Sequence, residues 1–162
     1  MAIYQTTGSD GLAAEVSTIG TSAGAGDSDK IAHLDASGKF HISFMPTGIG
    51  QPTKVANAAE ALSAGDWVYI NSSGTVAKAV ASSAATLPQG FVLSAVSSGA
   101  SATVYLEGEN NVLTGLTRNT RYFLSGSTPG ATTATAPATG SGHHVFSVGI
   151  ASETTAIPFK PQ

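Results

Sequence analysis

The chain has 162 residues, of which 10% are charged, a net charge of −3 at pH 7 and no cysteine. Its seven Lys and Arg residues are scattered, whereas a nucleic-acid-binding protein needs clustered basic residues to neutralise phosphates, so direct nucleic-acid binding is not expected. The absence of cysteine excludes disulfides and thiolate chemistry within this sequence.

Small residues dominate the composition, since more than half of the chain is Ala, Gly, Ser or Thr. Small side chains bury little apolar area, so the core must depend on a few large residues, and most of these lie after residue 60. A surface with little charge is typical of a protein that packs against copies of itself or against a scaffold. No apolar run reaches the length of a membrane span, and the first residues lack the features of a signal peptide. We therefore expect synthesis in a cytoplasm and no membrane partner.

The first 57 residues are predicted to form an extended N-terminal arm. Two stretches rich in Gly, Ser, Thr and Ala, at 6–11 and 18–26, alternate with short apolar clusters. Within the arm, residues 30–34, the turn sequence at 35–38 and residues 39–44 together predict a β-hairpin, because the apolar residues of the last segment alternate.

An isolated two-stranded hairpin is only marginally stable in water, so this one needs a partner surface. The apolar side chains of the arm are therefore the predicted partner-binding residues. They are Ile31, Leu34, Phe40, Ile42, Phe44 and Met45.

Residues 58–162 are predicted to form a mainly β body, either a sandwich or a small barrel. Short strand-like runs rich in β-branched and aromatic residues alternate there with Gly, Pro and Ser turns. The predicted strands lie at 66–70, 75–78, 89–93, 101–107, 111–114, 120–124, 144–150 and 155–159.

The body contains a weak internal repeat. Leu62 and Leu116 each precede a polar turn, an apolar strand, a Ser/Gly turn, a segment containing proline and two further apolar strands. We interpret residues 62–107 and 116–160 as two similar β units in one core, although chance similarity between β units is common.

No catalytic constellation is recognisable, so we predict no enzyme activity and no cofactor. The adjacent His143 and His144 are the most ligand-like pair, but neighbouring residues of a strand point to opposite faces. A metal site is therefore not predicted. Gly-rich segments lack the lysine of a phosphate-binding loop, and no Gly-x-Ser-x-Gly sequence is present.

Two arginines and two glutamates remain as candidate interaction residues. Arg118 and Arg121 lie on either side of Asn119-Thr120, just before Tyr122, and Glu107 and Glu109 lie at the end of another predicted strand. The arginines either mark a solvated hairpin tip or form ion pairs with these glutamates of a neighbouring subunit.

The sequence from Leu62 to Ala79, Gln89-Gly-Phe-Val-Leu93 and the stretch from Arg121 to Ala151 resemble the body of head decoration proteins of tailed bacteriophages, also called cement or head-fibre proteins. Residues 29–46 resemble segments of phage virion proteins, including fibre-type ones. The resemblance covers most of residues 27–160 and depends on pattern more than on invariant motifs. It implies a small β-barrel or β-tulip body, often trimeric, on the outside of a capsid and held there by an extended arm.

Two functions follow from this resemblance. The first is a structural virion protein made in the host cytoplasm, whose partners on the capsid surface are the major capsid protein and further copies of itself in a homotrimer. The alternative is a tail-fibre, adaptor or carbohydrate-contacting tail component. Exposure of Trp67 and Tyr69 would favour sugar binding, and burial of these rings would weaken it.

Overall fold

A computed structural model describes residues 5–7, 13–15, 17–28, 30–45, 50–138 and 142–161. The described chain is mainly β and divides into two compact units, Met1–Ile49 and Gly50–Gln162. We call the first unit the arm and the second the body. The division falls before the predicted boundary at residue 57, because residues 53–57 belong to a sheet of the body.

The described residues of the arm include four short strands, in two separate pairs. Strand β1 (Gln5–Thr7) pairs antiparallel with β2 (Ala13–Glu15), and β3 (Thr18–Ile19) pairs parallel with β4 (Ile31–Ala32). Two 3₁₀ helices follow β3 and β4, at Ala25–Asp27 and Ile42–Phe44.

The predicted hairpin of residues 30–44 is wrong in its second strand. Its turn exists, since the N–H of Asp35 donates to the carbonyl of Lys39 and the N–H of Gly38 donates to that of Asp35. However, β4 takes β3 as its partner, and Ile42–Phe44 coils into a 3₁₀ helix instead of pairing. Apolar alternation over a few residues favours a strand only where an unpaired strand is available beside it.

In the body, the described residues 50–138 and 142–161 contain ten strands, which form two groups of five. The first group, unit A, consists of β5 (Thr53–Asn57), β6 (Trp67–Ile70), β7 (Val76–Lys78), β8 (Gly90–Phe91) and β9 (Ser101–Tyr105). The second group, unit B, consists of β10 (Gly108–Asn110), β11 (Arg121–Leu124), β12 (Thr132–Thr133), β13 (Ser147–Ile150) and β14 (Ile157–Phe159).

Unit A is one five-stranded sheet in the order β5-β9-β8-β6-β7, with antiparallel neighbours. Its two outer strands come together at a single parallel bridge between Ala58, just after β5, and Val76 of β7. The N–H of Ala59 donates to the carbonyl of Val76 at this bridge. The sheet therefore curls strongly, but the described strands form no closed barrel.

Unit B repeats the order of unit A. Its strands pair as β10-β14 and as β12-β11-β13, and β13 lies against β14. In both units the first strand thus pairs with the fifth, and the second lies between the third and fourth.

The turns that enter β6 and β11 also match. Gly65 and Asn119 both have positive φ, at 89° and 58°. The N–H of Gly65 donates to the carbonyl of Val92, and the N–H of Asn119 donates to the carbonyl of Ala151. These equivalent bonds attach each turn to the end of the fourth strand of its unit.

The core of the body consists of two clusters. One lies inside the curled sheet of unit A and is built from valine, leucine and alanine side chains such as Val68, Val92 and Val104. The other cluster joins units A and B of the body around Trp67. This residue is fully buried and makes edge-to-face contacts with Phe91 and Phe159 at centroid distances of 5.6 and 5.1 Å. The large residues after position 60 thus carry most of the apolar burial.

Among the described residues, no helix has the length and apolar character required to cross a membrane.

Candidate interaction surfaces

The predicted partner-binding residues of the arm are largely exposed. Ile31 is 36%, Leu34 50%, Phe40 50% and Met45 41% exposed. Phe44 is half-buried and holds the ring of Phe40 edge-to-face at a centroid distance of 6.1 Å. The sixth, Ile42, is described by its backbone alone, so its side chain lies outside the described part of the chain.

A hydrogen-bonded turn presents two of these side chains. The Oδ1 of Asp35 accepts from the N–H groups of Ser37 and Lys39, at 2.8 and 2.9 Å, which fixes the loop between Leu34 and Phe40. Gly38 completes the turn with φ of 72°, a left-handed conformation that glycine adopts without steric cost. Two apolar side chains that are each 50% exposed, Leu34 and Phe40, therefore flank a fixed turn.

A second local network stabilises the 3₁₀ helix at Ala25–Asp27. The carboxylate of Asp27 accepts from the ammonium of Lys30 and from the N–H of Ala23, both at 2.6 Å. The hydrogen bond from Lys30, and then that from Ala23, hold the pKa of Asp27 below its ordinary value. Asp27 therefore acts as the acceptor that holds this turn together.

The four charged candidates in the body do not pair with one another. Arg118 forms an ion pair with Glu153 of the same chain, and Arg121 donates to the hydroxyl of Ser147 at 3.1 Å. Glu109 accepts from the hydroxyl of Ser152 at 2.9 Å, and Glu107 is exposed. Because the Arg118 pair is exposed, it contributes little to stability, and ion pairs between subunits stay a prediction.

Neither of the two aromatic residues considered for sugar contact is fully exposed. Trp67 is fully buried, and Tyr69 is half-buried against the core around it. Stacking on a sugar needs an exposed ring face, so the condition stated above for carbohydrate binding is not met at these two residues.

His143 and His144 lie in different surroundings. His144 is exposed, whereas the ring of His143 lies against the backbone of Gly126 and borders a cavity of about 220 Å³ lined mainly by Ser and Thr. Within the described ranges, no three His, Asp or Glu side chains come together as metal ligands.

Sequence reasoning missed the edge strand β5, which is exposed along almost its whole length. Four of its five residues are exposed, and Val55 reaches 60%. The residues of β5 lie within the predicted arm, residues 1–57, and not within the predicted body. The only signal in the sequence that could have indicated a strand here is the alternation of Thr53, Val55 and Asn57.

Comparison of the chain with protein-family models, curated proteins and solved structures finds no match.

Proposed function

We propose that this protein is a structural component of a bacteriophage virion that decorates the outer capsid surface and bridges neighbouring subunits of the major capsid protein. The observation that carries the proposal is the cluster of half-exposed apolar side chains on the arm, at Ile31, Leu34, Phe40 and Met45. Exposed apolar side chains gathered in one short segment are typical of an interaction site. The resemblance of the body and of residues 29–46 to phage virion proteins supplies the kind of partner.

The proposed mechanism is mechanical. The arm places its apolar side chains on the shell, while the body lies across the junction between shell subunits and opposes outward pressure from packaged DNA. In the proposed homotrimer, three arms bind together, so each bound arm raises the effective concentration of the others. Weak contacts of single arms then suffice for stable decoration.

The test uses the full-length chain with Leu34→Ser and Phe40→Ser combined, added to capsids assembled without it. Burial of two half-exposed side chains contributes about 2 kcal/mol in total, so affinity should fall roughly 30-fold for each arm. The matched control is Val145→Ser, which removes a side chain that is also 50% exposed but lies in the body. Equal capsid binding by the double variant and the control would overturn the role of the arm.

The copy number of the protein in purified virions tests its location. Quantitative mass spectrometry should find a number comparable to that of the major capsid protein. A few copies in each particle would instead assign the protein to a vertex or to the tail, where the fibre or adaptor alternative applies.

A further inference from the structure

The exposure of β5 differs from that of its counterpart in unit B. Strand β10 occupies the same place in the strand order, yet Asn110 within it is fully buried and donates to the carbonyl of Gly65 in unit A at 2.9 Å. Strand β5 has no buried residue. The first strand of unit B is thus covered by unit A, whereas the first strand of unit A has no such cover among the described residues of the body.

The free hydrogen-bonding groups of β5 can be assigned from its register. The N–H of Leu106 donates to the carbonyl of Pro52, and that of Ala58 donates to the carbonyl of Ala100, both at 2.8 Å. Bonded groups alternate along an antiparallel strand, so the even-numbered residues face β9. The N–H and C=O groups of Gln51, Thr53 and Val55 therefore point away from the sheet.

An unpaired strand edge of this kind is a template for another strand. We propose that β5 pairs antiparallel with β5 of a second copy of this chain, with Thr53 opposite Thr53 of that copy. Such a two-fold contact extends the sheet of unit A into a continuous sheet across two molecules.

Charge and sterics select this register from its alternatives. A pairing centred on Lys54 would place two ammonium groups directly opposite each other, which is destabilising. A pairing centred on Val55 would need the edge at Asn57, next to the bridge between Ala58 and Val76 that joins β5 to β7. The register centred on Thr53 avoids both conflicts.

In the register centred on Thr53, the side chains that lie opposite each other across the two strands are compatible. Val55 faces Gln51 of the other copy, and Lys54 faces Pro52, so no like charges meet. The two threonines are opposite each other, a cross-strand pair that stabilises antiparallel sheets. Val55, which is 60% exposed in one copy, gains cover from the second strand.

The contact is small. A five-residue strand buries much less than the roughly 1,200–2,000 Å² of a stable protein interface, so the pairing is weak and concentration-dependent in solution. On a surface that holds many copies close together, the effective concentration would favour it. In a trimeric protein, this two-fold contact would connect one trimer to another.

The first test is disulfide trapping, which is clean because the chain has no cysteine. Residues of a hydrogen-bonded antiparallel pair have Cα atoms about 5.5 Å apart, within the range of a disulfide. Full-length protein carrying Thr53→Cys should therefore form a covalent dimer under mild oxidation. Protein carrying Val55→Cys is the matched control, because the two Val55 positions lie four residues apart along the strands, about 13 Å. A mixture of Val55→Cys and Gln51→Cys chains should again cross-link.

We expect the Thr53→Cys chain to form dimers about tenfold faster than the Val55→Cys chain, since pairing raises the local thiol concentration. Equal rates, or faster cross-linking through position 55, would overturn the proposal.

The second test is Val55→Pro in the full-length chain. The N–H of Val55 points outward, so proline is tolerated in the monomer but blocks an incoming strand. Sedimentation at high concentration should show loss of the concentration-dependent association that joins two copies, or two trimers, through β5, with an unchanged unfolding temperature. Unchanged self-association would overturn the proposal. If the variant instead kept its self-association and lost capsid binding, the occupant of the edge would be a strand of the shell protein, and the second copy would be excluded.

Cross-linking and sedimentation, which test the strand pairing itself, need no capsid. Failure of strand pairing therefore leaves the proposed decoration function intact, and failure of capsid binding leaves the pairing intact.

Discussion

At the scale of single residues, Gly90 shows most clearly why the sheet of unit A needs a glycine. A Cβ atom at this position would overlap the carbonyl oxygen of Tyr105 and lie 2.8 Å from Cγ1 of Val104. Both atoms belong to β9, the neighbour of β8 in the sheet, which approaches Gly90 closely. Gly149 has an equivalent place in unit B, where an added Cβ would lie 2.6 Å from the carbonyl oxygen of Pro158 in β14.

We predict that Gly90→Ala destabilises the protein by about 1–3 kcal/mol, because a methyl group in a packed core forces the backbone to move. The measurement is the free energy of unfolding in denaturant. Gly26→Ala is the control, since nothing lies within 4 Å of its added Cβ and its φ is not positive. A loss as small as that of the control would show that β9 can move away from Gly90 without cost.

Asp27 gives a prediction about pH. Its pKa is lowered in the folded chain, chiefly by the hydrogen bond from Lys30. A lowered pKa means that the interaction is fully present above the unfolded value of 3.8 and is lost as pH falls through the folded pKa. An NMR titration of the Asp27 carboxyl should show a midpoint below 3.8, and Lys30→Met should raise that midpoint. An identical midpoint in the variant would mean that Lys30 is not the cause.

At the scale of elements, the sequence predicts turns better than strand partners. The Ala-Ser-Gly sequence predicts the turn at residues 35–38, and the turn forms because Asp35 accepts two backbone N–H groups within it. The strand predicted at residues 39–44 does not form, because pairing depends on a partner distant in sequence. The mainly β class was likewise readable from local patterns, whereas the open edge at β5 depends on where β9 and β7 lie.

The two similar β units predicted at residues 62–107 and 116–160 stay a prediction. Units A and B share their strand order, their positive-φ turn residues and a glycine in the fourth strand that the fifth strand approaches closely. The sequence carries only a trace of this similarity. The fold restricts the residue type at a few positions, such as these turn residues and glycines, whereas any apolar residue satisfies the other core positions.

The turn before β6 provides a further prediction. The Oδ2 of Asp66 accepts from the N–H of Ser63 at 2.7 Å and lies 3.1 Å from the ammonium of Lys78, and both side chains are mostly buried. Asp66→Ala should lower the free energy of unfolding by about 1–2 kcal/mol, because both partners lose a charged acceptor. Asp66→Asn keeps an acceptor for Ser63 and should cost less. Equal losses in the two variants, measured by denaturant unfolding, would mean that the charge alone matters.

At the scale of the whole molecule, the position of the boundary between arm and body can be tested. Residues 50–162 contain all five strands of each unit, so a chain lacking residues 1–49 should fold with a cooperative thermal transition. A chain lacking residues 1–57 also loses β5, which exposes the edge of β9, and should unfold at a clearly lower temperature. Equal unfolding temperatures, measured by circular dichroism, would show that β5 belongs to the arm.

The shared strand order also governs how the protein is completed during translation. In unit A, Thr53 of the first strand pairs with Tyr105, so β5 has no partner until β9 has been synthesised. In unit B, Glu109 likewise pairs with the distant Pro158. Pairs so distant in sequence form late, because closing a long loop costs entropy before any contact compensates for it. As the nascent chain leaves the ribosome, the hairpin of β6 and β7 can therefore form while β5 is still unpaired. The strand pairing of each unit is complete only after its fifth strand has been synthesised and has paired with the first.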